Sequence, residues 1–249
     1  MLKEERQHYI VQKLIEENKV SSIELSVALA VSEDTIRRDL NELADKGLLK
    51  KVYGGAISKS LLQLNFTERS DKAVEEKIIM ADKVIPLLKN RQLILLDGGT
   101  TNLQLARLLP ENLYLTIATN SIPIAFELLH HSSIEVLLLG GKVLKSEQVS
   151  IGVQVADNLD HLQPDICLLG ICSIHASKGF TVPDSDLAVV KRKMINNSAH
   201  TIALSTLDKL DKVDHYKVCD LNCIDTLITP VSPYDERVKL YSTAGMNIL

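Results

Sequence analysis

Between residues 93 and 229 the sequence alternates short, continuously apolar runs with helical stretches, and few folds accept that pattern. The runs are Leu93–Leu96, Leu115–Ala118, Val136–Leu139, Ile166–Leu169, Ile202–Leu204 and Thr226–Thr229. Helical periodicity fills most of the intervals, over Thr101–Leu109, Ile122–His130, Val153–Leu162 and Ser185–Ala199. A further helix is expected from Lys72 to Leu88, with Val74, Ile78, Ala81 and Ile85 inward. Strands apolar on both faces need cover on both faces, so the reading is an α/β, Rossmann-like domain of βαβ units around a buried parallel sheet.

In such a sheet small ligands bind beyond the carboxyl ends of the strands, and polar residues gather there. The first run leads into Asp97-Gly98-Gly99-Thr100-Thr101-Asn102 and then a helix. Two glycines let the backbone approach an anion, the threonines offer hydroxyls, and the helix N-terminus offers unpaired N–H groups. The next run ends in Thr119-Asn120-Ser121 and the third in Gly140-Gly141. Each alone is also what a tight turn looks like. Together they point to a pocket for a phosphorylated or polyhydroxylated small molecule. Lys191-Arg192-Lys193 is a solvated helix face on its sequence alone.

The first 58 residues follow another logic. A helix from Lys3 to Asn18 carries Arg6, Ile10 and Leu14 on one face; Val20-Ser21 is a short extended link. A second helix, Ser22–Leu29, has Ser22 as its cap and Ile23, Val27 and Ala28 as its buried side. Ala30-Val31 turns into a third helix capped by Ser32. In that helix Ile36, Leu40 and Leu43 form a buried stripe, leaving Asp34, Arg37, Arg38, Asn41 and Asp45 outward. The outward residues fit an ordinary solvated face too, since Glu33 with Arg37 and Asp34 with Arg38 stand at ion-pair spacing. What precedes and follows favours DNA. Helix, turn and helix is the unit that lays its later helix in the major groove. After Gly47, suited to a helix C-cap, Leu48 to Ala56 supplies an apolar strand, Lys50 and Lys51, and a turn at Tyr53-Gly54-Gly55, as a β-wing on the phosphate backbone requires.

The series Arg6-x3-Ile10-x3-Leu14, then Ser32-x2-Thr35-Ile36-Arg37-Arg38-Asp39-Leu40, with Gly47-Leu48-Leu49 and Tyr53-Gly54-Gly55-Ala56, resembles the signature of DeoR-type bacterial transcriptional regulators. The resemblance continues from Phe66-Thr67-Glu68-Arg69 to Asp225–Ile228, through Thr119-Asn120-Ser121, Gly140-Gly141, Gly152, Asp165–Gly170, Gly179 and Lys191–Met194. It implies an N-terminal winged helix-turn-helix and a C-terminal domain related in fold to ribose-5-phosphate isomerase and the CoA-transferases. It also implies operator DNA contacted by Ser32, Thr35, Arg37, Arg38, Asn41, Lys50, Lys51, Tyr53 and Gly54. The effector it implies is a sugar phosphate, its phosphate in the Thr100-Thr101 loop and Lys191 a second contact; Asp97, Gly98, Gly99, Asn102, Thr119, Asn120, Ser121, Gly140 and Gly141 complete the expected pocket. Two stretches depart from the family. Thr206-Leu207-Asp208-Lys209 has Thr where Asp is usual, and Ile171–His175 lacks the common Gly-Ile pattern. The identity of the effector therefore does not carry over.

The expected domains are 1–58 for DNA binding, a link over 59–72, an effector-binding domain over 73–235, and a tail from 236 to 249. Net charge is −4 overall. Residues 1–59 hold ten Lys and Arg against ten Asp and Glu, so attraction to DNA must be local, from Arg37, Arg38, Lys46, Lys50, Lys51 and Lys59. Cys167, Cys172, Cys219 and Cys223 lack zinc spacing and read as buried or half-buried free thiols. No metal or cofactor is expected. No leader opens the chain and no apolar run approaches roughly 18 residues, so a cytoplasmic protein without membrane contact is expected. One winged helix buries too little for operator selectivity, which implies a homodimer or homotetramer. The alternative, a sugar-phosphate isomerase or deaminase carrying a DNA-binding appendage, needs a carboxylate base. Asp97 and Asp165 are available, but neither falls in a recognisable acid/base constellation.

Overall fold

A computed structural model describes residues 2–17, 19–46, 48–58, 65–242 and 245–249. The chain divides into two compact units, Met1–Leu64 and Asn65–Leu249.

The first unit runs α1 (Lys3–Glu17), β1 (Lys19–Ser21), α2 (Ser22–Leu29), α3 (Glu33–Asp45), β2 (Leu49–Val52) and β3 (Gly55–Ser58). The strands form an antiparallel sheet in the order β1-β3-β2. Its core joins Ile10, Leu14, Leu25, Ile36, Leu40, Leu43 and Leu49. The face expected for α2 is corrected. Ile23, Val27 and Ala28 are exposed, and Ser22, Leu25 and Leu29 are buried. The cap is Ser21, without a side-chain bond. A two-turn helix with apolar residues on every side carries no readable stripe, so packing against α3 chooses its face. Gly47 and Lys59 lie outside the described residues.

The second unit opens with α4 (Phe66–Ser70) and α5 (Val74–Val84). Then come β4 (Leu93–Leu96), α6 (Thr100–Leu108), β5 (Leu115–Thr119), α7 (Ile122–Leu128), β6 (Ile134–Leu138), β7 (Lys142–Leu144), β8 (Val149–Ile151), α8 (Val153–Asp160) and β9 (Ile166–Gly170). The remainder is β10 (Ser173–His175), β11 (Gly179–Val182), α9 (Ser185–Asn197), β12 (His200–Leu204), β13 (Tyr216–Cys219), β14 (Thr226–Ile228), α10 (Glu236–Ser242) and β15 (Asn247–Ile248). Among the described residues seven strands form one parallel sheet, ordered β15-β14-β12-β9-β4-β5-β6. Alternate residues feed two cores. Leu95, Cys167, Leu169 and Ala203 pack with α8, α9 and α10; Ile94, Leu96, Leu168 and Ile202 pack with α5, α6 and α7.

Several expectations need amendment. Within the expected link, 59–64 lie outside the described residues, and Phe66–Ser70 is a helix whose Asn65 and Glu68 form a reciprocal capping box. The expected tail is structural: α10 buries Val238 and Tyr241, and β15 adds an edge strand beside β14. The α5 helix begins at Val74 and passes into a 3-10 turn at Ile85–Leu87, where Pro86 removes a donor. Its buried face is Lys77, Met80, Ala81 and Val84, while Val74 is exposed and Ile78 and Ile85 are half-buried. The β7–β8 hairpin and the β10-β11-β13 sheet were not expected, being too short to show a period. Cys223 is exposed rather than buried. No helix among the described residues is long and apolar enough to cross a membrane.

Candidate functional site

Two surfaces carry the chemistry, one in each unit. In the first, Ser32 Oγ caps α3 by accepting from the Thr35 N–H at 3.2 Å. With Ile36, Leu40 and Leu43 inward, Asp34, Arg37, Arg38 and Asn41 face solvent. Arg38 pairs with Asp34 at 2.8 Å and Arg37 with Glu33 at 3.5 Å, all well exposed; such pairs are weak and give way readily to a phosphate or base edge. Lys51 Nζ donates to Asn41 Oδ1 at 2.7 Å, so the wing strand β2 is tied to the outward face of α3. Lys50 is exposed beside it, and Tyr53 stands fully exposed with Gly54 at the turn. The structure thus gathers Ser32, Thr35, Arg37, Arg38, Asn41, Lys50, Lys51, Tyr53 and Gly54 on one helix and its adjoining hairpin. Lys46 is turned away to Gln7 Oε1.

Sequence reasoning missed what holds α3 in place. Asp39 is 2% exposed and accepts from Arg6 Nε at 2.5 Å and Nη2 at 3.1 Å. The two residues sit in the quoted signature, but nothing local to either reveals a partner 33 positions away.

In the second unit the chain runs from β4 outward through β5 to β6, then crosses back to place β9 on the other side of β4. The connections diverge between β4 and β9, and a crevice opens at their carboxyl ends. It is lined by Asp97, Gly98, Gly99, Thr100 and Thr101 from the β4–α6 loop, Gly170 to Cys172 after β9, and Leu187 and Lys191 of α9. Arg69, Glu147, Val149 and Lys209 complete it. Two glycines make the geometry possible. A Cβ at Gly170 would stand 2.4 Å from the Gly98 carbonyl oxygen, and Gly99 holds φ at 123°, where an L side chain is strained. As the N-cap of α6, Gly99 supplies no side-chain acceptor to the first-turn N–H groups.

At the crevice floor Lys191 Nζ donates to Asp97 Oδ2 and, at 2.8 Å, to the Gly170 carbonyl. The Gly170 N–H donates to the same Asp97 oxygen at 2.9 Å. Burial alone would pull the Lys191 ammonium down; the Asp97 charge and hydrogen bond outweigh it and hold it above the ordinary lysine value. Among the described residues Lys209 has no carboxylate in hydrogen-bond reach, and burial lowers it. Burial likewise raises the Cys172 thiol. Asp97 Oδ1 and Thr101 Oγ1 are buried without a hydrogen-bond partner among the described residues, so the wall of the crevice keeps polar capacity in reserve.

Of the expected pocket residues, Asp97, Gly98, Gly99, Thr100, Thr101 and Lys191 come together here. The other six do not line the crevice. Asn102 Nδ2 donates to the Asp97 and Leu168 carbonyls, pinning the loop to β9. Asn120 Nδ2 donates to the Ser150 carbonyl, and Thr119 Oγ1 accepts from the Ser121 N–H, so this turn serves the β5–β8 junction. Gly140 and Gly141 are exposed after β6, two strands from the switch point. Arg69, Glu147, Gly170 and Lys209 were not singled out as pocket residues. The only signal for Arg69 was its place in the Phe66–Arg69 motif, and for Lys209 its place in the divergent Thr206–Lys209 stretch.

Comparison with known proteins agrees with this division. A family model described as the DeoR-like helix-turn-helix domain matches residues 6–61, and one described as the DeoR C terminal sensor domain matches residues 72–230. The transcriptional repressor GlcR of Bacillus subtilis (strain 168) is 32% identical over 100% of this chain and 96% of its own length. The transcriptional regulator GolR of Listeria innocua serovar 6a is 31% identical over 98% and 97%. The glycerol-3-phosphate regulon repressor of Escherichia coli (strain K12) is 28% identical over 94% and 93%. Among solved structures, eIF2B beta from Chaetomium thermophilum superimposes with a TM-score of 0.50 at 11% identity, over 68% of this chain and 53% of that one, a likeness of fold alone.

Proposed function

Because the chain belongs to the DeoR family of transcriptional regulators, we propose that it represses a sugar-catabolic operon and is released from its operator by a phosphorylated sugar. Its homologues are regulators rather than enzymes, and two of those named above are repressors. DNA contact is assigned to α3 and the β2–β3 wing, with Arg37 and Arg38 toward base edges and Lys50 and Lys51 toward phosphates. The effector is assigned to the crevice between β4 and β9. The observation that carries the assignment is the concentration of cation there: Arg69, Lys191 and Lys209 line the same crevice as Thr100 and Thr101 in the first turn of α6, which has no side-chain cap, an arrangement suited to a phosphate. Release requires the effector to favour the DNA-incompetent state, since a ligand of equal affinity for both states shifts nothing. Paired half-sites call for a homodimer or homotetramer acting in the cytoplasm.

The test is operator binding titrated with ribose 5-phosphate, glucose 6-phosphate, glycerol 3-phosphate and the free sugars. Release by one phosphate ester and by none of its dephosphorylated counterparts is expected. Insensitivity to every anion, with DNA still bound, would refute the sensing half of the proposal.

A further inference from the structure

At the mouth of the crevice Arg69 is only half used. Its Nη2 donates to Glu147 Oε2 at 2.6 Å, while the buried Nε meets no acceptor. A guanidinium frequently takes a carboxylate through two parallel bonds. Here it takes one, although the side chains are only 12% and 14% exposed, where an incomplete charge pair is unfavourable. Charge in the crevice is also unbalanced. Arg69, Lys191 and Lys209 face Asp97 and Glu147, and the Lys209 ammonium makes no hydrogen bond or ion pair among the described residues. Asp97 is committed to Lys191 and the Gly170 N–H. Glu147 is therefore the carboxylate free to leave.

The two partners differ in how they are held. Arg69 stands on a fixed backbone: the Lys77 ammonium donates to its carbonyl at 2.6 Å and to that of Ser70 at 3.3 Å, and Phe66 anchors α4 in the core. Glu147 lies in the turn joining β7 to β8, directly after exposed Lys145 and Ser146. Val149 is buried, and the Ser150 N–H donates to the Asn120 carbonyl at 2.8 Å, so β8 is fastened independently of the Glu147 side chain.

We propose that Glu147 is a built-in competitor for the effector's phosphate. The entering dianion displaces the carboxylate from Arg69, takes Nε and Nη2 together as a fork, and sends Glu147 into solvent. Exchanging one carboxylate for a dianion balances the three cations against Asp97. The arrangement sets a threshold: a neutral sugar leaves the Arg69–Glu147 pair intact, and only a doubly charged group replaces it. This rests on the reading of the crevice as a phosphate site.

The experiment is calorimetric titration of the full-length protein with inorganic phosphate and with ribose 5-phosphate. Wild type is compared with Glu147→Gln, Glu147→Ala, Arg69→Lys and Arg69→Lys/Glu147→Gln. Both Glu147 variants should bind phosphate at least about tenfold more tightly than wild type, a change of about 1.4 kcal/mol. Arg69→Lys should bind more weakly, and adding Glu147→Gln to it should gain clearly less than Glu147→Gln gains in wild type, because a lysine cannot take the dianion as a two-nitrogen fork. Glu147 variants that stay folded by circular dichroism yet bind no more tightly overturn the exchange and leave the phosphate site standing. Absence of binding by all five proteins to either ligand overturns both.

Discussion

Replacing Asp39 with Ala tests how the DNA-binding unit holds its reading helix. The Asp39 carboxylate is 2% exposed and receives two bonds from Arg6, at 2.5 and 3.1 Å, that clamp α3 onto α1. Without it a guanidinium with 11% exposure is left against an apolar core. Breaking a buried pair from one side costs about 3–5 kcal/mol, and about 3 is expected here because Arg6 retains some contact with water. A unit spanning Met1–Leu64 at roughly 0.05–0.15 kcal/mol per residue has about 3–10 kcal/mol in total. The substitution therefore removes a large part of the stability of this unit. In thermal melts followed by circular dichroism and calorimetry, the transition of the first unit should fall by about 12–24 °C. That of the Asn65–Leu249 unit should not move. Operator affinity should drop as the first unit melts at the assay temperature. Arg6→Met with Asp39→Leu, which exchanges the ion pair for apolar packing, should recover most of the loss. A change below about 1 kcal/mol in Asp39→Ala, where about 3–5 is the usual cost, or a double variant as unstable as the single one, would refute the argument.

Further outcomes follow from the two surfaces. Arg37→Ala or Arg38→Ala, whichever meets a base edge, should cost about 1–3 kcal/mol and relax operator preference at one position; Lys50→Ala with Lys51→Ala should weaken all DNA sequences alike and lower the salt slope by about 1 for each phosphate left without its lysine. Filter binding at several salt concentrations distinguishes the two, and wild-type behaviour in both the Arg37→Ala/Arg38→Ala and the Lys50→Ala/Lys51→Ala double variants rules out this docking face. Thr100→Ala should cost about 1.5–3 kcal/mol of effector binding if its hydroxyl meets a charged oxygen, leaving operator affinity without effector unchanged; release of DNA at the wild-type effector concentration would place the phosphate elsewhere. Burial, then the Lys209 and Arg69 charges, lowers the Lys77 ammonium to about 8. Below that pH the folded state bears the whole cost of the buried charge. Between pH 8 and the ordinary lysine value of 10.5 the unfolded chain binds more protons, so stability of the second unit should rise by up to about 3 kcal/mol. Lys77→Met should flatten that rise in pH-dependent denaturant titrations; an unchanged slope would show that Lys77 is not its source.

Local periodicity was enough for the sheet. The apolar runs at Leu93, Leu115, Ile166 and Ile202 became β4, β5, β9 and β12, because a strand covered on both faces must be apolar throughout. The α3 stripe and its Ser32 cap were legible for the same reason, each depending on residues within about two helical turns of one another. The β4–α6 loop was recognisable because its glycines and threonines are contiguous, and Asp97 to Thr101 do line the crevice.

What sequence could not decide are the choices made by partners far apart in the chain. The α2 face was settled by packing against α3, since Ile23 and Leu25 are equally apolar and only one can be inside. Lys77, which was not among the inward residues expected of its helix, is buried because the α4 carbonyls receive its ammonium. The Thr119–Ser121 turn resembled a pocket wall, yet Asn120 is tied to β8, its Nδ2 donating to the Ser150 carbonyl and its own carbonyl accepting from the Ser150 N–H. Asp97 with Lys191, 94 positions apart, and Arg69 with Glu147, 78 apart, meet only because the strand order reverses beside β4. Periodicity records which residues leave water; which charges then face each other is set by topology, and the site is made of those encounters.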